Sequence, residues 1–255
     1  MTNARQLWTI LALLFVAIGC TAWVLGEPAP KGVLIFSHST GFRHESIEPG
    51  IAAIRMLAER EGLTVSASED PAIFSETGLA RFKVVVLLST TTDPAKPESE
   101  FLSGTRGAAL QRFMRRGGGI VAIHAAADSH YNWPWYGQMI GGYFERHPPG
   151  TPKGRITLAD RTHPSTRTLP PSFERVDEWY YFKDYDPRMR LLATLDPASI
   201  GEQDVNPNPV AWAHEYEGGR VFYTAMGHTG ESYADPLFLA HVAGGLRWAA
   251  GLEQR

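Results

Sequence analysis

The 255-residue chain contains one cysteine, Cys20, and it lies inside an apolar N-terminal run. No disulfide can form within the chain, and the body of the sequence offers no thiol nucleophile. No Gly-x-Ser-x-Gly is present, so the serine elbow of the α/β-hydrolases is excluded. The glycine triplet Gly117-Gly118-Gly119 precedes an apolar run instead of following one, so it is not a dinucleotide-binding fingerprint. Basic residues are scattered, and the formal net charge is −3. Without a basic stripe, nucleic acid is excluded as the expected partner. Local His-x-His or His-x-x-x-His ligand pairs, internal repeats, long linkers and low-complexity segments are also lacking.

What is present begins with residues 7–25, an uncharged run of bilayer-spanning length preceded by Arg5 and followed by Glu27, Pro28 and Pro30. A positive start, apolar middle and Pro-rich exit read as an export signal. Three fates are open. The run can remain as a membrane anchor, which its length favours. It can be cut before Cys20 with lipidation of that residue, because Ala17-Ile18-Gly19-Cys20 resembles a lipobox. It can be cut near Gly26 and the remainder released. Each places the following domain outside the cytoplasm. Residues 1–30 are accordingly read as a signal or anchor with a short linker, and residues 31–255 as one domain.

From Val33 the sequence alternates apolar runs with helical patterns. Val33–Ser37, Leu63–Ala67, Lys83–Leu88 and Ile120–Ile123 read as strands, with 83–88 covered on both faces and 120–123 buried. Ile47–Arg60 and Ala108–Arg115 read as helices. This β-α-β alternation predicts an α/β fold with a mainly parallel, doubly wound sheet. The second half is richer in β signals: 154–158, 174–182, 190–194, 210–214 and 220–225. A last helix spans about 236–250. Glu217-Gly218-Gly219 marks a hairpin turn.

The run Gly117 to Asp128 carries the most chemical information. An apolar strand ends abruptly in His124 among small residues, with Ala122 and Ala126 two positions to either side. This is the pattern of a sharp strand-to-loop elbow, which would present His124 at the carboxyl edge of the sheet, where ligands bind in such folds. Loops after the first and fourth strands share that edge, so His44 can converge on His124. His228 follows another predicted strand. A set of imidazoles with Glu178 suits either a divalent transition metal, with His44, His124 and His228 as candidate ligands, or general acid–base chemistry. Asp128 can orient His124 or cap a following helix. Arg43 can bind an anion or fix a carboxylate. Trp133, in Trp133-Pro134-Trp135-Tyr136, can wall a sugar site or anchor a helix start. Ser37, Ser39 and Ser89–Thr92 offer hydroxyls near strand ends. His130, His163, His214 and His241 read as structural.

Several ordered motifs resemble the ThuA-like, or trehalose-utilisation, family over about Lys31 to Ala250. They are Gly41-Phe42-Arg43-His44, Gly118 to Ala126, Gly142-Tyr143-Phe144-Glu145-Arg146-His147-Pro148, His163-Pro164, Asp177-Glu178-Trp179-Tyr180, and Pro209 to Trp212 leading to Gly219 through His228. The resemblance implies a flavodoxin-like three-layer sandwich similar to class I glutamine amidotransferases. It departs from the amidotransferases at the elbow, where His124 replaces their cysteine, so glutaminase activity is not expected. The resemblance implies sugar catabolism, on trehalose or related glycosides, including ones already oxidised to a keto form. His44, His124, Glu178 and His228 would be catalytic, and His147, Tyr180, Arg43 and Trp133 would contact substrate. A ketone at C3 acidifies the C2 proton, so a base and an acid suffice to expel the C1 substituent. The other reading is a non-catalytic carbohydrate-binding or interaction domain.

Overall fold

The computed structural model describes residues 31–252 apart from positions 205 and 207. The expected anchor at 7–25, with Cys20, lies outside the described residues. Among those residues, no helix is long and apolar enough to cross a membrane.

Eleven strands and five α-helices follow in chain order: β1 (Gly32–Phe36), α1 (Ile47–Arg60), β2 (Thr64–Ser68), α2 (Glu76–Leu79), β3 (Phe82–Leu88), α3 (Thr105–Arg115), β4 (Gly119–Ile123), α4 (Pro134–Ile140), β5 (Tyr143–Arg146), β6 (Lys153–Leu158), β7 (Ser172–Val176), β8 (Tyr181–Lys183), β9 (Arg190–Asp196), β10 (Asn208–Tyr216), β11 (Gly219–Thr224) and α5 (Pro236–Ala250). Nine strands form one sheet in the order β2-β1-β3-β4-β11-β10-β9-β6-β7. The first five run parallel, in the strand order of the flavodoxin fold. From β11 onward each neighbour is antiparallel. The β-rich second half therefore extends the parallel sheet across its β11 edge. β5 and β8 pair separately.

Burial explains the strand sequences. β1 and β4 are buried at every position, and β3 at all but Lys83, so they read as continuous apolar runs with no alternation. The glycine triplet serves two needs. Gly117 takes φ +80° just after α3, where a side chain would be strained. A Cβ on Gly118, just before β4, would enter the Phe113 ring of α3, whereas one on Gly119, the first residue of β4, would run into the Ala249 carbonyl oxygen of α5. Successive strand residues point to opposite faces, so α3 and α5 cover opposite faces of the sheet. That is the expected three-layer arrangement.

The predicted strand over 174–182 is instead two strands, β7 and β8, separated by Asp177–Tyr180. β5 had no clear signal in the sequence. The segment around Trp133 does begin a helix, α4, with Pro134 at its first position.

Candidate functional site

The carboxyl ends of β1, β4 and β11 lie on one edge of the sheet. His44 follows β1, His124 comes immediately after β4 and His228 follows β11. The elbow at His124 is real: its φ is +50°, a left-handed value rare for a residue with a side chain. Ala122 and Ala126 beside it are fully buried. The loop bearing His44 is fastened to the loop after β3. Thr40 N–H donates to the Thr91 carbonyl (2.9 Å), and the Thr91 hydroxyl donates to the Phe42 carbonyl (2.7 Å). Ser37 donates to Glu69, and Ser39 to the Ser89 carbonyl. These hydroxyls thus hold loops in place.

His44, His124, Glu178 and His228 converge, each offering one ligand atom within 4.8 Å of all the others. His124 Nδ1 lies 2.7 Å from the Ala225 carbonyl, which can only accept, so Nδ1 carries the proton. Nε2 of His124 is then a lone pair. It lies 3.0 Å from His228 Nδ1 and 3.4 Å from Glu178 Oε2. His228 Nδ1 and Glu178 Oε2 are 3.2 Å apart. The rings of His44 and His124 meet edge to face at 4.9 Å. Tyr180, itself buried, lies under His124 with centroids 4.4 Å apart. His147 approaches the other carboxylate oxygen, its Nδ1 3.3 Å from Glu178 Oε1 and 2.9 Å from the Pro148 carbonyl.

Electron-pair donors facing one another need a positive species between them. Ligand atoms about 2.0–2.2 Å from a tetrahedral metal are about 3.3–3.6 Å from each other. The separations among His124, His228 and Glu178 (3.0, 3.2 and 3.4 Å) are close to that, His44 lies within 4.8 Å of each, and three imidazoles with one carboxylate suit a divalent transition metal. The donor set therefore fits a cation. Burial, with the nearby charges of His124 and His228, lowers the His44 pKa to about 3, so its ring is neutral and ready to ligate. Burial alone would raise Glu178, but the neighbouring His124 and His228 rings hold it well below the usual carboxylate range. The hydrogen bond to Glu178 raises His228 against the effect of its burial.

Other expected residues fall in different places. Arg43 lines a cavity of about 570 Å³ beside His44 and His228, but its guanidinium is paired with Glu69 (2.8 Å) and Glu48 (3.1 Å). It therefore fixes carboxylates. Trp133 is not brought to the cluster; it stacks on Trp135 and Tyr136. Asp128 neither bonds His124 nor caps a helix. Its carboxylate accepts from the Tyr131 hydroxyl, and burial raises its pKa to about 6 against that bond. His130 and His163 are fully buried and hydrogen-bonded, His130 to Leu102 N–H and Ser129 and His163 to Ser165, as structural histidines are.

Sequence reasoning missed the exposed ring of Phe42, 67% accessible and edge-on to His44 at 4.9 Å. It also gave Asp177 no role beyond its place in the motif Asp177-Glu178-Trp179-Tyr180. Asp177 is fully buried and bonded to backbone N–H groups.

The family model for trehalose utilisation, ThuA, matches residues 32–249. The chain belongs to the ThuA family. The match covers nearly the whole described domain and ties it, at the level of the family, to trehalose utilisation. A ThuA-like protein from Bacteroides uniformis is 23% identical with a TM-score of 0.70, covering 87% of this chain and 92% of that one. A ThuA-like protein from Parabacteroides merdae is 19% identical with a TM-score of 0.67, covering 87% and 90%. A GMP synthase-like protein from Thermoplasma acidophilum is 11% identical with a TM-score of 0.51, covering 85% and 95%. These likenesses establish the ThuA and amidotransferase-like fold. No curated protein matches.

Proposed function

We propose that this ThuA protein is an enzyme that cleaves or transforms glycosides oxidised to a keto form, using a divalent cation held by His44, His124, Glu178 and His228. The observation that carries the reading is the convergence of these four side chains, with the Ala225 carbonyl fixing the His124 tautomer. A backbone carbonyl behind a ligating imidazole is the usual support of a metal-binding histidine. His44 and His124 are almost wholly buried, which suits ligands better than groups that must reach a sugar.

When bound, the cation would polarise the substrate's keto group and acidify the neighbouring C–H. The chain's own residues would do the rest. His147 is partly exposed, and its Nδ1 faces the Pro148 carbonyl and Glu178, which leaves Nε2 to take the C2 proton. As that C–H bond breaks, its electron pair forms the C1–C2 double bond and the C1–O bond breaks. The departing oxygen takes a proton from an acid. Asp128, with a pKa near 6, is suited to supply it. Phe42 would pack against the sugar at the cavity mouth. Ordinary glycoside hydrolysis with paired carboxylates is less well supported, because it needs a second free carboxylate beside Asp128, whereas Glu178 is engaged by His124, His147 and His228 and Asp177 is spent on backbone N–H groups. Residues 1–30 would export the domain and anchor it to the membrane, directly or through a lipid on Cys20.

The test is incubation of the protein, supplied with Mn²⁺, Co²⁺ or Zn²⁺, with trehalose and with a C3-oxidised disaccharide. Consumption of the keto compound alone, lost in Glu178→Gln, is expected. Saturable binding with no product from either would overturn catalysis and leave a carbohydrate-binding domain.

A further inference from the structure

We infer that Asp177 is the positioning residue of this cluster: it sets Glu178 against His228 without touching either side chain. The inference rests on the cluster being a cation site, but its geometry can be tested apart from that reading.

Asp177 is fully buried. Its Oδ1 accepts from two backbone N–H groups, those of Glu178 (3.0 Å) and His228 (3.0 Å). Its Oδ2 accepts from Gly227 N–H (2.9 Å) and from Arg175 Nε (3.1 Å). One oxygen therefore joins two segments distant in the chain. They are the segments that carry Glu178 Oε2 and His228 Nδ1, which stand 3.2 Å apart.

The clamp is itself held from behind. Arg175 Nη2 lies 3.0 Å from Asp177 Oδ2 and donates to Ser232 Oγ (2.8 Å), while Nη1 donates to Asp235 Oδ2 (3.3 Å). The guanidinium also lies over the Phe238 ring at 4.8 Å. Gly227 takes φ +110°, and a Cβ there would be 3.0 Å from both the Tyr233 hydroxyl and the Phe238 ring. The β11 loop is thus threaded tightly past the clamp.

A buried ion pair is weak evidence for stability, because desolvating both charges offsets most of their attraction. The number of acceptors explains its presence here better. Four N–H groups converge on this side chain, and a carboxylate is acceptor-only at both oxygens. An amide would turn its NH₂ toward two of those donors whichever way it faced. The same clamp also accounts for the break between β7 and β8: Asp177 leaves the strand ladder to collect these donors, and the turn swings Glu178 into the cluster.

The experiment compares Asp177→Asn and Arg175→Lys with the wild type in two readouts. The first is the Glu178 Oε2 to His228 Nδ1 separation in crystal structures. It should open by about 1 Å or more in Asp177→Asn, the scale on which an unsupported site becomes too loose. The second is the Co²⁺ dissociation constant, followed by visible absorption well below the melting temperature. It should weaken about 10–100-fold in Asp177→Asn and less, in the same direction, in Arg175→Lys. A purely structural Asp177 would lower the melting temperature and leave both readouts at wild-type values, which would overturn the inference. If Asp177→Asn does not fold, Arg175→Lys decides by the same two measures. If the wild type takes up no Co²⁺, the cation reading fails, and the crystallographic separation alone decides the role of Asp177.

Discussion

Lowering the pH from 6.5 to 4.5 should destabilise this domain through histidines outside the candidate site. His130, His163 and His241 are buried, and burial lowers their pKa values to about 3, 3 and 4. The hydrogen bonds show why. His130 Nε2 accepts from Leu102 N–H (3.1 Å), and His163 Nδ1 accepts from Ser165 N–H (3.2 Å). A proton on either nitrogen would replace an acceptor with a donor facing a donor. The unfolded chain binds these protons below about pH 6.5, and the folded chain refuses them down to pH 3–4, so stability falls as the pH falls through that window. Each group costs about 1.4 kcal/mol per pH unit, so three groups over two units set an upper limit of about 8 kcal/mol. Asp128 acts in the opposite sense. Its folded pKa near 6 returns about 2 kcal/mol by pH 4.5. Within the cluster, His44 is lowered and His228 raised, so those two oppose each other. A net loss of several kcal/mol is large against the usual 5–15 kcal/mol total. Urea unfolding at pH 7, 6, 5 and 4.5 would measure it. His163→Gln, which can still accept the Ser165 N–H, should flatten the slope by up to about 1.4 kcal/mol per pH unit. Stability that holds steady or rises between pH 6.5 and 4.5 would refute the reasoning.

Three further outcomes are expected. His147→Gln should lower kcat by about 10²–10⁴ while leaving metal content unchanged, since His147 is proposed to move a proton and not to ligate; a fall in metal content would contradict that division. Phe42→Ala should raise KM about 5–30-fold with kcat little changed, the pattern of lost substrate packing worth about 1–2 kcal/mol. Gly119→Ala should cost about 1–3 kcal/mol and lower Tm by roughly 3–10 °C, because its Cβ has no room against α5; an unchanged Tm in calorimetry would show that the helix can shift.

The parallel half of the fold was legible because its strands are buried on both faces and its helices carry apolar stripes. β1, β3 and β4 needed no partner to be recognised. The elbow was equally local: a glycine triplet, an apolar run and small residues around His124 specify it. Glu178 was harder to place. Its segment reads as one long strand, and the break at Asp177 depends on N–H groups of Gly227 and His228 that no local pattern reveals. The same holds for the meeting of His44, His124 and His228, which topology permitted and only the folded loops define. Trp133 shows the converse. Aromatics beside prolines read equally as a sugar wall or a helix anchor, and the structure uses Trp133 to stack at the start of α4.

The most direct test of the central claim is elemental analysis of the purified domain after exposure to Mn²⁺, Co²⁺ and Zn²⁺ and removal of excess ion, alongside His124→Ala and Glu178→Gln. The account predicts close to one divalent ion per chain, lost on chelation and in both variants, with a melting temperature that rises when the ion is restored. Less than about a tenth of an ion in the wild type under all three conditions would contradict it, as would full occupancy in His124→Ala.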